Sequence, residues 1–369
     1  MKLGVLVTSI GNFGNKGFYN SQEIGLAKEL DKLFEAVIVY KLIPETEPAS
    51  LEKIEGCEHT QINFVPSKNY GINGLIDLKQ LDTSIDTLVY FSDTQLAVPK
   101  VYKWCKTHGI KMIPYIGVLE SHSENVIKKV IINTLFKRNI AVYKNCECLV
   151  KNPQVEKVLK TYGIKRCIVS PVGLDLSILN TGYKTVDSNV LKEKWGFSSD
   201  DKVLLFIGRL VPEKQPLMLI EIFKRIQKVR SDYKLLIIGQ GELYPEVNRL
   251  IKDNNLESSV KLIDKVPNTT IWELYRLSEA FINLNQHEIF GMAILEAMYY
   301  GCKVVAWEAP GPSYIIEDNV SGYLVSNEKE IIDAIYKPNN MIESVSHERV
   351  IECFTWKNTA EKIYLLAKK

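Results

Sequence analysis

Short apolar runs alternate with segments of helical periodicity along most of this chain. Leu3–Thr8 and Ala36–Tyr40 are apolar enough to be buried strands, and the apolar residues of 20–34 between them recur on one helix face. The same alternation begins again at Val203–Ile207, after a polar stretch at 180–189. Strands and helices in this order predict parallel sheets that are covered by helices on both faces.

The polar stretch divides the alternation into two halves. A chain of 369 residues is long enough for two domains, and a seam is expected near Pro171–Asp175. The sequence therefore predicts an α/β protein with two Rossmann-like, doubly wound parallel-sheet domains facing a cleft. A (β/α)8 barrel has a similar period and is the main alternative, but a barrel predicts no polar linker in mid-chain.

Charge and composition exclude several classes of protein. Lys and Arg number 46 against 44 Asp and Glu, so the net charge of +2 gives no general reason to expect nucleic-acid binding. The seven cysteines include no CxxC pair and the five histidines no HxxxH spacing, so we predict no metal site and reduced thiols in a cytoplasmic protein. Neither a signal peptide nor an apolar run of about 18 residues is recognisable, so no transmembrane helix is predicted.

Two cations follow the strand Val203–Ile207. Arg209 and Lys214 lie in the segment that begins at Gly208, and Pro216 marks the first turn of the next helix. Ligands of open α/β sheets bind beyond the carboxyl ends of strands, where a planar guanidinium and an ammonium suit a diphosphate. An ordinary charged loop explains the two residues about equally well.

A second anion site is predicted where a helix begins near Gly291. The free amides of Gly291, Met292 and Ala293, together with the helix dipole, attract an anion. Glu296 lies further along this apolar helix, where a carboxylate can accept hydrogen bonds from sugar hydroxyls. Glu288 lies in the preceding loop. A carboxylate on the helix surface is the alternative interpretation of Glu296.

Two glycine-bearing segments and one histidine are weaker signals. Gly239-Gln-Gly241 follows a strand, but a lone Gly-x-Gly is better explained by a plain turn. Gly11–Gly17, which includes Gly14, precedes the first helix and suits close approach of a ligand. His122 follows the strand Lys111–Val118 and would face the cleft, although an uninvolved surface histidine is an equally good interpretation.

The segment Glu124–Ile140 is predicted to be a basic amphipathic helix. Its cations are Lys128, Lys129, Lys137 and Arg138, and Ile127, Val130, Ile131 and Leu135 share an apolar stripe. Such a helix can lie on an anionic membrane surface. A solvated charged face on a helix that packs on the core is the preferred alternative.

Taken in order, these motifs resemble the GT-B retaining glycosyltransferases of the glycosyltransferase group 1 (GT4) family. The resemblance covers the C-terminal half well and the N-terminal half only in layout and in the glycine loop. The matching segments are Val172–Asp175, Gly208–Lys214, Glu288–Met298, Gly301–Val305, Gly322–Val325 and Phe354–Trp356.

The resemblance implies a metal-independent, hexosyltransferase-type transfer of a sugar from a nucleotide-diphosphate sugar, of UDP or GDP type, with no other cofactor. Arg209 and Lys214 would hold the diphosphate, Glu288 the donor sugar and Glu296 the ribose. The catalytic residues would be Glu288, Arg209, Lys214 and His122. The donor site as a whole would comprise Gly14, Gly17, Gly208, Arg209, Lys214, Gly239, Val266, Glu288, Phe290, Gly291, Met292, Ala293 and Glu296.

The resemblance also implies a division of labour between the domains. Residues 1–175 would form the acceptor-side domain, 190–351 the donor-binding domain, and 352–369 a helix that crosses back to the first. The acceptor would be a glycan or a lipid-linked sugar in cell-surface polysaccharide synthesis, with the inner face of the cell membrane as the place of peripheral contact. Nucleic acid is not an expected partner.

Three residues depart from the family pattern, and two other functions remain as alternatives. Asn285, Asp264 and Tyr314 stand where the family commonly has Ser, Gly and Glu, so contacts to the donor base and sugar are in doubt. A nucleotide-sugar 2-epimerase could use the same two-sheet layout. A non-catalytic accessory subunit that binds a glycan would be expected to have lost the cations of the phosphate loop.

Overall fold

The computed structural model describes residues 1–10, 22–70, 73–117, 119, 126–338 and 342–369. It divides the chain into two compact units. The first unit comprises Met1–Asp175 and Thr355–Lys369, and the second comprises Leu176–Phe354. Each unit contains its own mainly parallel sheet with helices packed on it, as the alternating sequence pattern predicts.

The first unit contains an eight-stranded sheet in the order β10-β9-β8-β7-β1-β2-β4-β3. All neighbouring strands are parallel except β3 and β4, and β5 pairs with β6 separately. The strands are β1 (Lys2–Val7), β2 (Ala36–Pro44), β3 (Ser50–Lys53), β4 (Thr60–Ser67), β5 (Asn69–Tyr70), β6 (Asn73–Gly74), β7 (Thr87–Phe91), β8 (Lys111–Ile116), β9 (Cys148–Val150) and β10 (Cys167–Val169). The helices before the second unit are α1 (Gln22–Asp31), α2 (Val98–Thr107), α3 (Val126–Tyr143) and α4 (Pro153–Thr161).

The second unit contains a six-stranded parallel sheet in the order β13-β12-β11-β14-β15-β16. Its strands are β11 (Lys202–Ile207), β12 (Tyr233–Ile238), β13 (Val260–Ile263), β14 (Ala280–Asn283), β15 (Lys303–Trp307) and β16 (Tyr323–Val325). Its helices are α5 (Ser188–Lys194), α6 (Pro216–Val229), α7 (Tyr244–Asp253), α8 (Ile271–Leu277), α9 (Met292–Tyr299), α10 (Pro312–Ile315), α11 (Glu328–Tyr336) and α12 (Ile342–Cys353). Because both sheets are open, the barrel alternative is wrong.

The core of the second unit explains why its strands can be read from the sequence. Leu204 and Phe206 of β11 and Ile237 of β12 are buried against Phe223 of α6. Helices on both faces leave no solvent side to a central strand, so its sequence is a continuous apolar run rather than an alternating one. Burying each such side chain contributes about 1.5–3 kcal/mol.

The last helix, α13 (Trp356–Ala367), belongs to the first unit. Its Trp356 is 2% exposed, and its indole ring lies where a Cβ on Gly25 of α1 would stand. A Cβ on Gly173 would likewise overlap the backbone of Trp356. The crossing helix expected from the sequence thus docks on glycines, while residues 352–354 stay with the second unit.

One further segment differs from the sequence expectation. The polar stretch 180–189 is part of the second unit, where Tyr183 is 1% exposed and donates to the carbonyl oxygen of Tyr299 at 2.9 Å. It is therefore packed structure rather than a free linker.

None of the helices that the structure describes is both long and apolar enough to cross a membrane.

Candidate functional site

The middle of the second sheet is its topological switch point. β11 and β14 lie side by side there, with Leu204 opposite Ala280. β12 and β13 continue the sheet on one side, and β15 and β16 on the other. The strand order reverses between β11 and β14, and open α/β sheets bind their ligands beyond the carboxyl ends of the strands at such a point. The loops that follow Ile207 and Asn283 emerge next to each other at this edge.

Arg209 and Lys214 lie in the loop between β11 and α6. Arg209 is exposed, and Lys214 ends a short 3-10 turn at Pro212–Lys214. Gln215 follows with φ +56°, in the left-handed region that non-glycine residues seldom adopt, and Pro216 opens α6. A residue before proline is disfavoured in the right-handed helical region. Gln215 and Pro216 therefore keep Lys214 outside the helix and at the sheet edge.

The segment Gly239-Gln-Gly241 follows β12, and it packs against the loop that carries Arg209. The amide of Leu210 donates to the carbonyl oxygen of Gln240 at 2.8 Å. A Cβ on Gly239 would overlap the carbonyl oxygen of Gly208, and a Cβ on Gly241 would overlap that of Leu210. These glycines therefore allow two backbones to pack directly, which the sequence pattern alone could not distinguish from a plain turn.

We expect Gly239→Ala to destabilise the second unit by about 1–3 kcal/mol, because the added methyl group must displace the Gly208 carbonyl. Thermal unfolding followed by circular dichroism measures this effect. Gly208→Ala is the matched control, since its Cβ would meet nothing closer than the Phe206 ring at 3.7 Å. Equal melting temperatures for the two variants would contradict the packing role of Gly239.

Glu288 connects the two loops through Lys214. Its Oε2 atom lies 2.5 Å from Nζ of Lys214 and accepts a hydrogen bond from Nδ2 of Asn285 at 3.3 Å. The Oδ1 atom of Asn285 in turn accepts from the amide of His287 at 3.0 Å. Asn285 is only 7% exposed, so its amide group is fixed and orients the Glu288 carboxylate. Residues 74 positions apart are thereby in direct contact.

α9 begins just beyond this loop, with its N-terminus at the same edge of the sheet. Gly291 precedes it with φ +104°, and a Cβ there would lie 2.8 Å from Cδ1 of Ile294. A side chain at this position would be strained by both backbone and packing. The first-turn amides of Met292 and Ala293 have no partner within the helix, so they and the helix dipole can attract an anion.

Glu296 is held inside the protein by Tyr275 of α8. The phenol of Tyr275 donates to Oε2 of Glu296 at 3.0 Å, and the two side chains are 0% and 5% exposed. A buried carboxylate is stable only when hydrogen bonds replace its water. An ionised carboxylate offers about four lone-pair sites, so this anchor does not exhaust its capacity to accept hydrogen bonds from a ligand.

The remaining predicted residues fall into two groups. Val266 follows β13 and Phe290 is buried before α9, so both lie near the carboxyl edge of the second sheet. Gly14, Gly17 and His122 lie outside the described residues. Within the described ranges, no group of three or more His, Cys, Asp or Glu side chains is arranged to hold a metal ion.

The other departures from the family pattern also have identifiable contacts. Asp264 follows β13, and its carboxylate accepts a hydrogen bond from Tyr244, which raises the pKa of that phenol. Tyr314 packs edge-on against Phe354, with ring centroids 5.5 Å apart. Phe354 also meets Phe290 at 6.3 Å. Tyr314 is thus part of the aromatic packing behind the Glu288 loop.

Solved structures share this two-unit fold. HepE of Anabaena, in complex with UDP and glucose, superposes with a TM-score of 0.73 at 15% identity and covers 100% of both chains. Sucrose-phosphate synthase of Thermosynechococcus elongatus gives 0.75 at 16% identity, over 100% of this chain and 98% of that one. These likenesses establish the fold, which is the predicted GT-B architecture of glycosyltransferases.

Residues 187–345 match the family of glycosyl transferases group 1. A poly(ribitol-phosphate) alpha-N-acetylglucosaminyltransferase of Staphylococcus aureus (strain COL) is 32% identical over 171 residues, which are 44% of this chain and 34% of that protein. An N-acetyl-alpha-D-glucosaminyl L-malate synthase of Bacillus anthracis is 28% identical over 154 residues, 40% of each. The second unit is therefore similar to the glycosyl transferases group 1, and the resemblance predicted from the sequence is confirmed. The chain spans less than half the length of these two curated relatives.

Sequence reasoning did not identify Tyr275 or Gln215 as parts of the site. Helical periodicity places Tyr275 on the buried face of α8, which is the usual position of a core aromatic. Its partner Glu296 is 21 positions further along the chain and on another helix. The one sequence signal for such a partner was Glu296 itself, because a glutamate inside an apolar helix requires a buried hydrogen-bond donor.

Proposed function

We propose that this protein is a retaining, metal-independent glycosyltransferase. It moves a sugar from a nucleotide-diphosphate sugar to a glycan or lipid-linked acceptor. This transfer would take place at the inner face of the cell membrane, in the synthesis of a cell-surface polysaccharide. The observation that carries this proposal is the contact of Lys214 with Glu288 at the switch point of the second sheet. Arg209 and the N-terminus of α9 lie on the two loops that emerge at the same edge.

The contact between Lys214 and Glu288 supports this assignment most directly. At 2.5 Å, the carboxylate of Glu288 holds the ammonium of Lys214 at the sheet edge. Arg209 lies on the same loop, and the amides at the start of α9 face the same edge. A site with positive charge already in position stabilises a developing anion without reorganisation in the transition state.

Sugar transfer requires such a site because the leaving group is an anion. The bond between the anomeric carbon and the donor phosphate oxygen breaks, and its electron pair stays on the nucleoside diphosphate. The acceptor oxygen bonds to the anomeric carbon on the same face, and its proton passes to the departing phosphate. We infer metal independence because Arg209, Lys214 and the α9 amides supply the charge that the leaving diphosphate needs.

Similar proteins favour a uridine nucleotide and a polymeric or lipid-linked acceptor. HepE binds UDP and glucose in its solved structure. The staphylococcal relative is named for transfer to poly(ribitol-phosphate). A Campylobacter jejuni relative, 26% identical over 220 residues, is named for an acceptor on diphospho-undecaprenol. UDP-sugars are therefore the first donors to test, with GDP-sugars as the alternative.

Calorimetric titration with UDP, GDP and their sugar conjugates tests the donor site, and product analysis with an acceptor panel tests transfer. We expect one nucleotide to bind at micromolar Kd and the glycosidic product to keep the anomeric configuration of the donor. Nucleotide released without an acceptor, together with an epimerised sugar, would instead indicate a 2-epimerase. Absence of binding to every nucleotide would refute the proposal and favour an accessory subunit.

A further inference from the structure

An open cavity lies at the amino-terminal ends of β8, β9 and β10 in the first unit. Its volume of about 460 Å³ is within the range of about 300–1,000 Å³ for small-molecule sites. Lys111 is the first residue of β8, Glu147 directly precedes β9 and Arg166 directly precedes β10. Open α/β sheets bind their ligands at the opposite, carboxyl ends of the strands. The cavity is therefore separate from the edge at which substrates of such sheets bind.

The floor of this cavity is apolar. The buried residues that line it are Cys105, Ile110, Met112 and Cys146, which are 1%, 6%, 5% and 6% exposed. Burial raises the pKa of Cys105 and that of Cys146 to about 12, so both thiols stay protonated at neutral pH. They therefore act as small apolar side chains and not as nucleophiles or metal ligands.

The rim of the cavity is cationic. Four positively charged residues line it, namely Lys106, Lys111, Arg166 and Lys369. Among the described residues that line it, Glu147 is the one acidic side chain, and it accepts a hydrogen bond from Nζ of Lys111 at 2.6 Å. That hydrogen bond holds the pKa of Glu147 below its usual range, and the charges of Lys369 and Arg166 act in the same direction. Three of the four cations thus act on one carboxylate.

Lys106 and Arg166 are not compensated by the protein. Lys111 is engaged twice, because its Nζ atom also donates to the carbonyl oxygen of Leu366 at 2.8 Å. Within the ranges that the structure describes, the side chains of Lys106 and Arg166 have no hydrogen-bond or ion-pair partner, and both residues are exposed. A single exposed cation is ordinary, but like charges gathered at one cavity repel each other. A bound anion would remove this repulsion.

We propose that this cavity binds a small phosphorylated ligand, with its phosphate on Lys106 and Arg166 and its organic part on the apolar floor. A guanidinium offers a planar fork to two phosphate oxygens, and an ammonium offers a point charge. A phosphate monoester carries about −1.5 to −2 charges at pH 7, which is enough to neutralise both cations, whereas a single carboxylate is not. The inference goes beyond the proposed function, since it requires no sugar transfer and no residue of the second unit.

Ligand-observed NMR titration with phenyl phosphate, and with benzoate as its carboxylate counterpart, tests the proposal. The cavity variant combines Lys106→Gln with Arg166→Gln. The matched control combines Lys103→Gln with Lys165→Gln, which removes the same charge from neighbouring residues that do not line the cavity. All four positions are exposed, so the melting temperatures should equal that of the parent protein. Every protein, the parent included, carries Arg209→Ala to remove the phosphate loop of the second unit.

We expect the parent protein and the control to bind phenyl phosphate equally, and the cavity variant to bind it about tenfold more weakly. Benzoate should bind to the parent protein more weakly than phenyl phosphate. Equal binding in the cavity and control variants, or no binding to the parent protein, would overturn the proposal. An equal loss in both variants would also overturn it, because the attraction would then be diffuse. Benzoate bound as tightly as phenyl phosphate would overturn the choice of a phosphate. Because all proteins lack Arg209, failure of the proposed donor site would leave these results unchanged.

Discussion

Arg209→Ala is expected to lower kcat by about 10²–10³-fold, which is the usual effect of removing one preorganised charge donor from a leaving anion. Lys214→Ala should have a comparable effect. Both residues lie at the switch point of the second sheet, and Lys214 is held there by Glu288 at 2.5 Å. Steady-state kinetics with the preferred nucleotide sugar would measure both variants.

The control for this prediction is Arg225→Ala. Arg225 is another cation of the second unit, but it lies on α6 and its Nη1 atom pairs with Glu328 at 2.6 Å on the exposed surface. Its removal should leave kcat unchanged, because exposed ion pairs contribute at most about 1 kcal/mol to stability. If Arg209→Ala and Arg225→Ala retained the same activity as wild type, the first would have no part in stabilising the leaving group.

The second large effect is expected from Glu296 and the tyrosine that anchors it. Glu296→Ala should weaken nucleotide binding by about 1.5–3 kcal/mol, the range for hydrogen bonds to a charged group. Tyr275→Phe should weaken it in the same direction but less, because it removes the 3.0 Å anchor and leaves the carboxylate in place. Calorimetric titration with the bound nucleotide gives both values.

Deoxynucleotides distinguish a ribose contact from a general loss of structure. The wild type should discriminate against analogues that lack the 2′- or 3′-hydroxyl group, and Glu296→Ala should largely lose that discrimination. Tyr183→Phe is the matched control, since Tyr183 is also a buried phenol of the second unit but donates to the Tyr299 carbonyl. Unaltered discrimination in Glu296→Ala would exclude the ribose role even if binding were weaker.

Much of the fold could be predicted because buried parallel strands carry a strong local signal. Val203–Ile207 is apolar throughout, and the structure places β11 at Lys202–Ile207 with helices on both faces. The edge of the first sheet carried no such signal. β3 is largely exposed, so its sequence, Ser-Leu-Glu-Lys, resembles a loop. The polar stretch 180–189 resembles a linker in sequence, although it is packed in the structure. The packing of Tyr183 depends on Tyr299, which is far along the chain, so the local pattern does not report it.

The sequence singles out charged residues of the candidate site but not the contacts between them. Arg209, Lys214, Glu288 and Glu296 could be singled out because cations after a strand and carboxylates near a helix start are unusual in those settings. The contact of Lys214 with Glu288 depends on β11 and β14 being neighbours in the sheet. Strand order is decided by long-range packing, which periodicity does not report.

By itself, the sequence determined the parallel architecture, the two units and the charged residues at the switch point of the second sheet, because each depends on local patterns of burial, turn and charge. Only the tertiary structure decided what those residues touch. It paired Lys214 with Glu288, anchored Glu296 on Tyr275 and turned the aliphatic residues at the start of α3 outward. The physical reason is that periodicity fixes which residues share a face, whereas the partner of that face is chosen by the packing of segments distant in the chain.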